Sequence, residues 1–74
     1  MPIEVMRRKI LYHAALSFLE VGYTDTYLKD LADKVGINIG SLIHLFPHKE
    51  DILLALVDIV IGEQFTVATA LTQG

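Results

Sequence analysis

The chain has 74 residues, 53% of them hydrophobic and 20% charged, with 5 Gly, 2 Pro, no Cys and a net charge of −3. That composition excludes a disordered tail, a disulfide framework and thiolate metal sites, and it points to a reducing, cytoplasmic setting. The start, Met1 to Lys9, puts its charges ahead of a polar-studded helix and is not read as a signal peptide. The longest strongly apolar stretch, Ile52 to Ile61, carries Asp58 and is too short to span a bilayer, so no membrane partner is expected. Charge is uneven along the chain. Residues 1–49 hold all six cations against five anions, whereas residues 50–74 hold four anions and no cation. The acidity therefore belongs to the C-terminal third, and the rest is weakly basic.

Gly22, Gly36 and Pro47 cut the chain into four helical segments, with no strand pattern, repeat or low-complexity run. The first helix is predicted over about residues 3–21. Ile10, Ala14 and Phe18 recur four apart and Leu11, Ala15 and Leu19 shadow them, giving a broad apolar face. Gly22 ends it. Thr24, Asp25 and Thr26 offer capping oxygens, and Thr26 is the expected N-cap of a short second helix, about residues 27–35. Leu28, Leu31, Ala32 and Val35 form its inward stripe, while Lys29, Asp30, Asp33 and Lys34 face water. After Gly36, Asn38 is a good N-cap for a third helix over about residues 39–45, anchored by Leu42 and Phe46 and stopped ahead of Pro47. The fourth helix is predicted over about residues 49–71, with Glu50 and Asp51 suited to its positive end.

The second and third helices, joined by Val35-Gly36-Ile37-Asn38, carry the strongest signal. Ala32 lies four before Gly36 and Leu42 six after it. A small residue lets two helix axes cross closely, a glycine permits the left-handed turn, and a branched apolar residue closes the miniature core. The second helix of such a helix-turn-helix projects from the body and fits the DNA major groove.

Three dispersed runs, Ile10-Leu11 to Gly22-Tyr23, Leu31-Ala32 to Ser41-Leu42, and Phe46-Pro47 to Ile52-Leu53, resemble the N-terminal DNA-binding domain of the tetracycline-repressor (TetR/AcrR) family. The resemblance covers about residues 10–56. It implies an all-α, homeodomain-like fold: a three-helix helix-turn-helix head over residues 1–48, with the motif at about 27–45, and a fourth helix over 49–74. That helix is expected to lead to a C-terminal ligand-binding and dimerisation domain that these 74 residues do not contain. The implied function is sequence-specific binding of double-stranded DNA by a homodimer on a palindromic operator, as a repressor relieved by a small-molecule effector.

By the same resemblance the reading helix contributes Asn38, Ile39, Gly40, Ser41, Ile43, His44 and Leu45. Lys49 and the Thr26 end of the second helix hold phosphates, and Arg7, Arg8 and Lys9 match the basic lead-in. The family usually has Tyr where this chain has Ile43, and often Tyr or His where it has Leu45. Ile and Leu donate no hydrogen bond, so each either faces the groove or packs in a core that differs from the family's. Asn38 is explained equally by capping alone, and Ser41 by either role.

No constellation supports catalysis, and no cofactor is expected. Gly36 and Gly40 follow no strand and precede no Gly-Lys-Ser/Thr, which excludes a phosphate loop. Ser17, Ser41 and the histidines have no nucleophile–base spacing. His44 and His48 are four apart, but Pro47 breaks the helix between them, so no metal site is expected. The fourth helix is apolar all round from Ile52 to Ile61 apart from Asp58, so it needs a cover. Self-association through Leu54, Val57, Ile61 and Phe65 is one expectation. The run from Thr66 to Thr72 is a poor isolated helix. A protein-interaction or dimerisation module that has lost DNA binding is the alternative reading.

Overall fold

The computed structural model describes the backbone of residues 2–73 and the side chains of residues 2–62. Four helices follow in chain order: α1 (Ile3–Glu20), α2 (Leu28–Val35), α3 (Ile39–Leu45) and α4 (Lys49–Gln73). The fold is all-α, with no strand among the described residues. α1 packs against α2 and α4, and α2 packs against α3.

One core joins all four helices. Ile10, Leu11 and Ala14 come from α1, Leu31, Ala32 and Val35 from α2, Leu42 from α3 with Phe46 just behind it, and Ile52 from α4. Ile10, Ala14, Leu42 and Ile52 are all at 0% exposure. Cutting Leu42 or Ile52 to Ala would cost about 2–5 kcal/mol, the usual range for such a cavity. Ile52 lies beyond residue 48, so the core of the head includes the first turns of α4. Ala55 and Leu56 pack partly against the same core.

The apolar face of α1 is narrower than its sequence predicts. Leu19 is 85% exposed, and Ser17 is buried in the stripe between Ala14 and Phe18. The chain reverses at Gly22 with φ 92°, a conformation costly for residues with a Cβ. Gly36, with φ 87°, makes the corresponding reversal after α2. Its N–H and that of Ile37 both donate to the Ala32 carbonyl, at 2.9 and 3.0 Å, which satisfies two donors at the crossing of α2 and α3.

α4 begins with a reciprocal pair. The His48 N–H donates to Asp51 Oδ2 at 3.0 Å, and the Asp51 N–H donates to the His48 carbonyl at 3.0 Å. An acidic group there also meets the positive end of the helix. Further along, Leu54, Val57, Val60 and Ile61 are exposed. The side chains of Phe65 and of Thr66 to Thr72 lie outside the described residues. No helix among the described residues is long and apolar enough to cross a membrane.

Candidate nucleic-acid interface

α3 is short enough that its two faces are easy to separate. Leu42 points into the core and Leu45 leans after it, half-buried against the same cluster. The outward side carries Gly40, Ile43 and His44, all exposed, with Ile39 at one edge and the half-buried Ser41 at the other. Helical periodicity puts Gly40 and His44 one turn apart, and Ile39 and Ile43 one turn apart beside them. Gly40 costs about 1 kcal/mol against Ala in a helix interior. A Cβ there would meet only Asn38 Oδ1, at 3.3 Å. The helix backbone is therefore open to close approach at the centre of its outward face.

Asn38 caps α3. Its Oδ1 accepts from the Ser41 N–H at 2.8 Å, and its carboxamide nitrogen keeps both protons for a donor role. The first turns of α1 lie beside α3, and Ile3 and Met6 share an open groove with Ser41 and His44. Arg7 is turned to Phe46, its guanidinium carbon 5.7 Å from the ring centre, a cation–π geometry that ties α1 to the end of α3. Arg8 and Lys9 are exposed.

Three residues expected to touch DNA also have partners inside the molecule. Thr26 does not cap α2: the N-cap is Tyr27, with no side-chain hydrogen bond. Thr26 is instead 2% exposed, and its hydroxyl donates to the Gly22 carbonyl at 2.8 Å. With that proton committed, Ser17 Oγ, also 2.8 Å away, is the donor to Thr26 Oγ1. The pair staples the last turn of α1 to the turn before α2.

Lys49 also has partners inside the molecule. Its ammonium donates to the carbonyl oxygens of Tyr23 at 2.7 Å, Thr26 at 3.0 Å and Thr24 at 3.3 Å. An ammonium has three protons, and all three are used inside the molecule. The Tyr23 ring adds a contact 4.5 Å from Nζ to the ring centre. Leu45 is the third: it packs partly against the core and also lines the open groove with Ser41 and His44.

Tyr23 was not singled out by its sequence position, yet it is central to this corner. Its ring also meets Phe18 with centres 5.3 Å apart. Its hydroxyl oxygen is buried without a partner among the described residues. Burial, followed by the nearby carboxylates of Glu50 and Asp51, pushes the phenol above its ordinary value of 10.0. Among the described residues no group of three or more His, Cys, Asp or Glu could hold a metal ion.

Two helices crossing at a glycine turn, with the second of them presenting one face outward, define the helix-turn-helix class of DNA-binding modules. Residues 10–56 match the family model described as bacterial regulatory proteins, tetR family. The chain belongs to that family, whose members are DNA-binding transcription regulators. Neither the curated proteins nor the solved structures gave a match.

Proposed function

We propose that the chain is the sequence-reading head of a ligand-responsive repressor, which binds double-stranded DNA with α3 in the major groove. The observation that carries this reading is the outward face of α3, where Gly40 lets the backbone approach while Asn38, Ile39, Ser41, Ile43 and His44 surround it. Asn38 contributes its free amide donor, His44 and Ser41 contribute hydrogen-bonding groups, and Arg8 and Lys9 supply charge for phosphates. Two copies reading a palindromic operator follow from the symmetry of such heads, with α4 leading to the domain that pairs them and binds the effector. The exposed Leu54, Val57 and Ile61 on α4 support a helix made to be covered. Work of this kind belongs in the bacterial cytoplasm.

Selection from a random duplex library, followed by salt titration of the recovered pool, tests this. A shared motif with two-fold symmetry is the expected result. Recovery of nothing at low salt, at a concentration where the chain is dimeric, would sink the proposal in favour of a protein-interaction module.

A further inference from the structure

We infer that the Ile39–Ile43 edge of α3 reads the 5-methyl groups of pyrimidines, so that the operator carries thymine where this edge meets it. The inference rests on the proposed major-groove docking of α3 and specifies what that docking recognises. Ile39 and Ile43 are 38% and 43% exposed, and both stand beside the Gly40 opening. They are one turn apart, so they form a continuous apolar ridge rather than two isolated side chains. His44 and Ser41 lie on the other side of Gly40, which splits the outward face into an apolar edge and a polar edge.

In the major groove, base edges offer hydrogen-bonding groups at all four bases but only one apolar group, the thymine methyl. A branched aliphatic side chain with no donor gains nothing from the other edges and leaves them desolvated. The ridge therefore distinguishes thymine from cytosine by attraction to the methyl and by rejection of the exposed cytosine amine. Close approach at Gly40 brings the two β-branched side chains near the base edges, and their restricted rotamers limit the conformational freedom lost on contact.

The test uses the whole chain and the duplex recovered by selection. Each thymine is replaced in turn by deoxyuridine, which removes the methyl and leaves every hydrogen-bonding group in place. The expected result is a loss of about four-fold in affinity for each methyl that the ridge covers, the hydrophobic worth of one such group, at one or two positions per half-site. Ile43→Ala or Ile39→Ala should abolish the difference between thymine and uracil at its own position, with helicity by circular dichroism unchanged. Ile43→Val should retain part of it. Tight, sequence-specific binding that ignores every uracil substitution would overturn the inference and leave the DNA-binding proposal standing. So would uracil sensitivity that persists undiminished in both alanine variants. Failure to bind any duplex would overturn both together.

Discussion

Lys49 and Tyr23 meet twice: the ammonium donates to the Tyr23 carbonyl at 2.7 Å and lies 4.5 Å from the centre of its ring. The two residues are 26 positions apart, and the contact joins the first turn of α4 to the chain reversal between α1 and α2. A cation that in sequence looks available to DNA is thus a strut within the head.

Replacing Lys49 by Met keeps the aliphatic stem and removes the strut. Stability should fall by about 1.5–3 kcal/mol, the range for a charged hydrogen-bonding group, measured as a lower urea midpoint at unchanged slope. DNA affinity should drop only as far as folding does, and the slope of log affinity against log salt should stay as it was. A slope shallower by about one would mean that Lys49 grips a phosphate after all.

The Ser17–Thr26 staple makes a paired prediction. Thr26→Val alone leaves the Gly22 carbonyl and the Ser17 hydroxyl without their partner, at a cost of about 1–3 kcal/mol. The double variant Ser17→Ala, Thr26→Val removes one of the stranded groups as well. It should be more stable than the sum of the two single losses, a coupling that a four-corner unfolding cycle measures directly. Strict additivity would mean that the two hydroxyls do not act as a pair.

Tyr23→Phe should leave the fold intact with an equal or higher melting temperature, since it deletes a buried hydroxyl that has no partner. The alkaline limb gives the second readout. The phenol is held above its ordinary value in the folded chain, so its contribution is fully present below about pH 10 and is lost as pH rises through the higher folded value. Thermal unfolding followed from pH 8 to 11 should therefore show the wild type losing stability more steeply than the Phe variant. Parallel curves would count against a perturbed phenol.

Asn38 separates capping from reading. Asn38→Ser retains a capping oxygen and should stay within about 0.5 kcal/mol of wild type, whereas Asn38→Ala should lose about 1 kcal/mol. The carboxamide reaches further and carries two donor protons, where the serine hydroxyl is shorter and carries one. The Ser variant should therefore fold normally and yet recover a different motif in library selection. An unchanged motif would reduce Asn38 to a cap.

With Lys49 committed to carbonyls and Arg7 to Phe46, Arg8 and Lys9 remain as exposed cations of the basic lead-in. Neutralising two phosphates predicts a salt slope of about −2 per copy. A much steeper slope would require further cations at the interface, and titration of the recovered duplex over a range of potassium chloride decides it.

Local chemistry was enough to place α3, whose boundaries follow from Asn38 at one end and Pro47 at the other. It was also enough for the glycine turn and for the Leu31, Ala32, Leu42 and Phe46 part of the core. The internal contacts of Thr26 and Lys49 were not legible, for a common reason. A hydroxyl just before a helix and a lysine at the start of one have good local uses, but here Ser17 lies nine residues from Thr26 and the carbonyl partners of Lys49 lie 23 to 26 away, and these become neighbours only when the helices pack. Ser17 carried a weak signal, a polar residue at helical spacing between Ala14 and Phe18. Tyr23 closed the first of the family-like runs but had no role assigned to it, because a half-buried aromatic in a turn is ordinary until Lys49 arrives beside it. The split between Ile43 and Leu45 likewise depended on which way α3 is rolled against α2, and that is set by Leu42 and Phe46 acting together.

In mechanical terms α4 is a cantilever. From Lys49 to Leu56 it is built into the head, anchored by Ile52 in the core and by the ammonium of Lys49 in the turn. From Val57 to Gln73 it projects as a beam roughly 25 Å long at the usual rise per residue. A sideways displacement of the far end is then not absorbed at a loose joint. It would bear on the chain reversal before α2, through the Lys49 contacts to Tyr23, Thr24 and Thr26, and so on the proposed reading helix that α2 carries.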